Sequence, residues 1–313
     1  MLGKNAGGLY WMFRYLERSE NTARLVEAGF RIALTRSKDA RQEWVSVATT
    51  AGVHDAYAAK HGEFEAASVI DFLLRDRENP SSVAGVIESA RNNARMVRTA
   101  LTTEVWTAVN DCWMTLKETL RRPVREAELP NILATIRQQS AQVRGALHGT
   151  MLRNDCYDFA RIGTFLERAD NTARILDVKY YTLLPSASFV GSSMDNVQWE
   201  TILRSLSAHH SFHWCGDYEL NPSAIAQFLI LDRRLPRSLS FCAAKIVDNL
   251  SYLAEDYGAE LPCMDKAQSL RSLVKDTDIE TIFEAGLHEF LVSFIKANNE
   301  LGGQIETDYR FVN

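Results

Sequence analysis

Residues 16–25 read Leu-Glu-Arg-Ser-Glu-Asn-Thr-Ala-Arg-Leu, and residues 166–175 read Leu-Glu-Arg-Ala-Asp-Asn-Thr-Ala-Arg-Ile. Seven of the ten positions are identical and the other three are chemically close. The match continues outward. Phe72-Leu73, Asp76-Arg77, Pro80 and Ser82 recur as Phe228-Leu229, Asp232-Arg233, Pro236 and Ser238, while Trp44 and His54 align with Trp199 and His209. The offset grows only from 150 to 156 residues along the way. Landmarks kept in order at a nearly constant offset indicate duplication of one structural unit. The expected organisation is one helical half over residues 1–152 and a second over 153–313, packed as one compact unit.

Helical periodicity dominates both halves, and sustained β-branched alternation is scarce. The pattern predicts helices over 9–35, 40–58, 64–75, 81–100, 103–120 and 129–150, then 156–183, 195–214, 221–232, 237–256, 266–275 and 278–308. Breaks fall at X-Pro steps such as Asn79-Pro80, Leu184-Pro185 and Leu235-Pro236, because the residue before proline is pushed out of the helical region. Residues 186–193, rich in serine and alanine with Gly191, are the expected linker. The fold class is therefore all-α, a helical bundle of two pseudo-symmetric halves with the first helix of each near the centre.

The 313 residues are 46% hydrophobic and 24% charged, enough apolar material for a sizeable core. A formal net charge of −5 argues against nucleic-acid binding, which draws on basic residues to displace counterions from phosphates. The five cysteines are odd in number, widely spaced and without a C-x-x-C pair, as expected for reduced thiols. Arg14, Glu17, Arg18 and Glu20 interrupt the apolar start, and no run approaches the roughly 20 apolar residues that span a bilayer. These features lead to the cytoplasm, with no membrane association. No glycine-rich phosphate loop, G-x-S-x-G elbow or H-E-x-x-H pair occurs, so no cofactor or metal is expected.

The repeated segment carries the candidate site. Glu17, Asn21 and Arg24 share one helical stripe, as do Glu167, Asn171 and Arg174, next to the apolar stripe of Leu9, Met12, Leu16 and Ala23. This places the polar set at the edge of a packed face. Arg18 and Arg168 follow the two glutamates. Two readings stand. In one, paired ion bridges fix helix register in the bundle, since a buried carboxylate needs a partner. In the other, Glu17 and Glu167 are the candidate acid or base of a pocket between the halves, with Arg18, Asn21, Arg24, Arg168, Asn171 and Arg174 as ligand-binding candidates. Asp76-Arg77 and Asp232-Arg233 read as turn motifs, Asp bonding the turn's amides, with Ser82 and Ser238 capping the helices that follow. His209, His210 and His213 read as core or interface histidines rather than metal ligands. Arg91, Arg95 and Arg98 read as a solvated basic stripe.

From Leu9-Tyr10-Trp11 through Arg14 to Arg24, at Asp76 to Ser82, and again at Glu167-Arg168, the chain closely resembles the bacterial alpha-E family, all-helical proteins named for a glutamate–arginine motif. The resemblance covers nearly the whole chain. Members of that family are companions of a circularly permuted ATP-grasp ligase, and often of transglutaminase-like or proteasome-like peptidases. The resemblance thus implies an accessory or binding subunit of an ATP-grasp-type amide or peptide ligation system, with the ligase or its peptide product as partner. A stand-alone enzyme using a Glu/Arg pocket and a structural, homo-oligomer-forming protein are the alternatives.

Overall fold

The computed structural model describes residues 1, 3–35, 40–182, 193–216 and 220–311. Its first half, in chain order, holds α1 (Gly3–Thr35), α2 (Ala40–Thr50), α3 (His54–Lys60), α4 (Ala66–Leu74), α5 (Val83–Met96), α6 (Thr103–Thr119) and α7 (Leu129–Thr150). The second holds α8 (Asp155–Thr182), α9 (Ser193–Ser205), α10 (His209–Trp214), α11 (Pro222–Leu231), α12 (Leu239–Tyr257), α13 (Pro262–Lys275), α14 (Ile279–Ala285) and α15 (Leu287–Asp308). No strand occurs among the described residues, and no described helix is long and apolar enough to cross a membrane. All but the last residue of the expected linker, 186–193, lies outside the described residues.

Three of the twelve expected helices are each two. Gly52 (φ +69°) separates α2 from α3, Ser207 (φ +53°) separates α9 from α10, and Gly286 (φ +101°) separates α14 from α15. Left-handed backbone cannot continue a right-handed helix, and glycine adopts it without a Cβ penalty. At the other end, α1 begins six residues before the expected start, taking Gly3, Gly7 and Gly8 into the helix. A Cβ on Gly8 would stand 2.5 Å from the Val97 side chain, so this glycine lets α1 lie close against its neighbour.

The helices α1 and α8 pack along each other at the centre. Around them, α1 meets α5, α7 and α9, while α8 meets α12, α15 and α2. Leu9, Met12, Phe13, Leu16 and Ala23 of α1 join Phe159, Ile162, Phe165, Leu166 and Ala173 of α8 in one hydrophobic core. The two central helices lie in close contact at Gly163, where a Cβ would lie 2.3 Å from the Tyr10 carbonyl oxygen. In the middle of α1, where helices of the bundle pack around it, Glu17 and Glu20 have no solvent face to turn to, whereas Lys4 and Arg31 nearer its ends are exposed. These two carboxylates are buried with the apolar side chains.

Candidate functional site

Adjacent Glu and Arg on a helix project about 100° apart and cannot pair with each other. Two such helices side by side offer an exchange. Arg168 donates from Nε to Glu17 Oε1 (2.8 Å) and from Nη2 to Oε2 (2.9 Å). Arg18 in turn donates from Nε to Glu167 Oε1 and from Nη2 to Oε2 (3.0 Å). Each glutamate of the repeated motif thus takes the arginine of the other copy, in a two-pronged geometry that lysine cannot reproduce.

Further arginines close around each pair. Arg237, from the turn before α12, lies 3.1 Å from Glu17 Oε1 and donates to Glu20 Oε1 (2.7 Å) and Asn21 Oδ1 (3.1 Å). Arg144 of α7 reaches both Glu17 and Glu20, and Arg24 donates to Glu20 from Nε (3.0 Å) and Nη2 (2.7 Å). On the other side Arg14 donates from Nε to Glu167 Oε2 (2.9 Å), its guanidinium lying over the Trp11 ring. Arg174 donates to Asp170 Oδ2 (2.7 Å). Glu17, Asn21 and Glu167 are therefore interior, because α8, α7 and the turn before α12 cover what the helical wheel leaves open, while Asn171 and Arg174 keep the expected place at the edge.

Electrostatics follow from this enclosure. Burial alone pushes the Glu17 carboxyl up, but the charges of Arg168, Arg237 and Arg144 and the hydrogen bonds from Arg168 outweigh it and hold the group well below the usual carboxylate range. Glu167 behaves alike: burial raises it, and Arg18 and Arg14 bring it below its ordinary value. Glu20 is raised by burial and by Glu17, then lowered further by Arg237, Arg144 and Arg24. Arg237 is brought down to about 10, first by burial and then by Arg168 and Arg24, against the pull of Glu17 and Glu20. Glu17, Glu20 and Glu167 are carboxylates and their partners cations at neutral pH.

The two sides are not equal. Glu17 meets Arg237, whereas the position matching Arg237 in the repeat is Ser81. In place of a guanidinium there is a cavity of about 270 Å³, lined by Arg18, Asn21, Ser81, Glu167, Asp170, Asn171 and Arg174 among others. Asp170 Oδ1 and Asn171 Nδ2 are buried beside it without a hydrogen-bond partner. Of the candidate residues, Glu17 and Arg168 belong to the filled side, Arg24 bonds Glu20 at its end, and Arg18, Asn171, Arg174 and Glu167 belong to the cavity. Asn21 reaches both.

Asp76 and Asp232 lie in the turns: Asp76 Oδ1 accepts from the Glu78 amide (2.9 Å) and Asp232 Oδ1 from the Arg234 amide (2.7 Å). Ser82 and Ser238 cap α5 and α12. Arg77 lines a separate surface hollow and Arg233 is exposed. His209 pairs with Glu200 (2.8 Å), and no group of three or more His, Cys, Asp or Glu among the described residues is placed to hold a metal ion. Sequence reasoning missed Arg14, Glu20, Arg144 and Arg237. Arg144 and Arg237 are invisible to a search for identities, because they sit where the repeat differs. The unlike pair Ser81 and Arg237, framed by the matched prolines and serines, was the readable mark.

A family model covers nearly the whole chain and is of the same all-helical class. Described as "a predicted alpha-helical domain with a conserved ER motif", it matches residues 1–309. The chain belongs to the Alpha-E family. Glu-Arg steps occur in this chain at Glu17-Arg18 and Glu167-Arg168, the residues joined by the crossed bridges. No curated protein and no solved structure matches the chain.

Proposed function

We propose that this Alpha-E chain is a non-catalytic accessory subunit of an amide-ligation system, binding an ATP-grasp-type ligase or its peptide product in the cytoplasm. The observation that carries the reading is the crossed bridging of the ER glutamates. A general base or acid works best with a pKa near the operating pH, and a carboxylate held by two or three guanidiniums lies far below it. Glu17 and Glu167 are thus spent on joining α1 to α8, which disfavours the stand-alone enzyme. The reading also takes residues 1–152 and 153–313 as two diverged copies about an approximate twofold axis. The repeated element order and the reciprocal bridges support that division.

The test is ATP consumption by a circularly permuted ATP-grasp ligase from the same genome, followed with and without the full chain, alongside direct binding. The expected result is complex formation that changes turnover or product. A chain that turns over a substrate with no partner, or a ligase indifferent to it, would overturn the proposal.

A further inference from the structure

Arg237 shows what the centre of this fold does with a guanidinium. It is fully buried among Glu17, Glu20 and Asn21, three acceptors that meet it at 2.7–3.1 Å. The repeat supplies a counterpart for each acceptor: Glu167 for Glu17, Asp170 for Glu20 and Asn171 for Asn21. All three line the cavity beside Ser81. Asn21 turns Oδ1 to Arg237 and leaves Nδ2 unpartnered. Asn171 leaves its own Nδ2 unpartnered too, as an amide posed in the same way would. Asp170 Oδ1 is an acceptor out of contact with water and with no donor, a state costly enough that a buried site normally supplies one.

The filled side shows how many cations such a centre holds. Around the filled site two carboxylates, Glu17 and Glu20, are ion-paired with Arg24, Arg144, Arg168 and Arg237. Around the cavity two carboxylates, Glu167 and Asp170, are ion-paired with Arg14, Arg18 and Arg174. The three guanidiniums at the cavity already outnumber its carboxylates, so the drive for a fourth is the unmet acceptor and not net charge; the filled side shows that a fourth is accommodated. The opening is also on this side: the Arg18 side chain is 26% exposed against 9% for Arg168. A ligand can therefore reach the position that Arg237 closes from within.

We infer that the cavity beside Ser81 is a binding site for a guanidinium group, which donates to Asp170 Oδ1, Asn171 and Glu167 as Arg237 donates to Glu20, Asn21 and Glu17. The group comes from a small guanidine or from an arginine side chain of a peptide. The inference rests on this chain's residues alone and goes beyond the proposed function, since it holds with or without a ligase.

Calorimetric titration of the full chain with agmatine and with N-acetyl-arginine amide tests it and separates the two sources, with putrescine and acetate as controls. The expected result is one-to-one binding of at least one guanidine. Asp170→Asn should weaken it by about tenfold or more, the loss of a charge-assisted hydrogen bond, and Ser81→Arg should abolish it. Because Ser81→Arg carries its own guanidinium into the cavity, it should also raise the melting temperature, a readout independent of ligand. Binding that survives Ser81→Arg, binding of putrescine or acetate as tight as that of the guanidines, or no binding of either guanidine would overturn the inference.

Discussion

At Glu17 the cost of an interior charge and its remedy are visible together. The side chain is almost wholly enclosed, and Arg168, Arg237 and Arg144 all direct guanidiniums at it. Removing one partner of such a set strands the others in a low-dielectric interior. Glu17→Gln is expected to cost about 3–5 kcal/mol of unfolding free energy, measured by urea denaturation, and to cost more than the same change at Glu200, an exposed-side partner of Arg204 and His209. An equal cost at the two positions would mean that the central bridges contribute no more than surface pairs. The sequence showed that Glu, Asn and Arg persist together in both copies, but a helical wheel cannot say which copy's arginine meets which glutamate. That pairing depends on how α1 and α8 lie side by side, a tertiary fact.

Among the elements, α1 and α8 set the frame. They lie in close contact at Gly163, where the added carbon of alanine would press on the backbone of α1 at Tyr10. Backbone cannot swing aside as a side chain can, so Gly163→Ala should destabilise by about 1–3 kcal/mol or more, while alanine at the open Gly145 of α7 should be neutral or mildly stabilising. Thermal unfolding of the two variants separates them. Helix existence was legible nearly everywhere, since proline steps and capping serines marked the boundaries. The breaks at Gly52, Ser207 and Gly286 were not, because one left-handed residue leaves little trace in hydrophobic periodicity. The glycine-rich start was read as outside the first helix for the complementary reason: glycine is a poor helix former until a neighbour makes its small size useful.

Over the whole molecule, the ionised interior makes stability depend on pH from both ends. The lowered carboxyls of Glu17, Glu20 and Glu167 contribute stability that is present above the unfolded value of about 4.3 and lost as pH falls. Asp158, buried in the first turn of α8, has the opposite sign. Burial, then Asp256 and Asp155, push it up to about 7 against the pull of Arg161. Its contribution is full below about 4 and is lost as pH rises through 7. Asp158→Asn should therefore raise the melting temperature at pH 8 by about 2 °C or more and leave it nearly unchanged at pH 4. A variant less stable at pH 8 would contradict that assignment.

The ER motif works across the two central helices and not within either. A pair of double-mutant cycles on unfolding free energy tests it most directly, one coupling Glu167 to Arg18 and the other coupling Glu167 to its neighbour Arg168. The account predicts a coupling of about 1.5 kcal/mol or more for Glu167 with Arg18 and less than about 0.5 kcal/mol for Glu167 with Arg168. A larger coupling within the motif than across it, or none across, would contradict the claim.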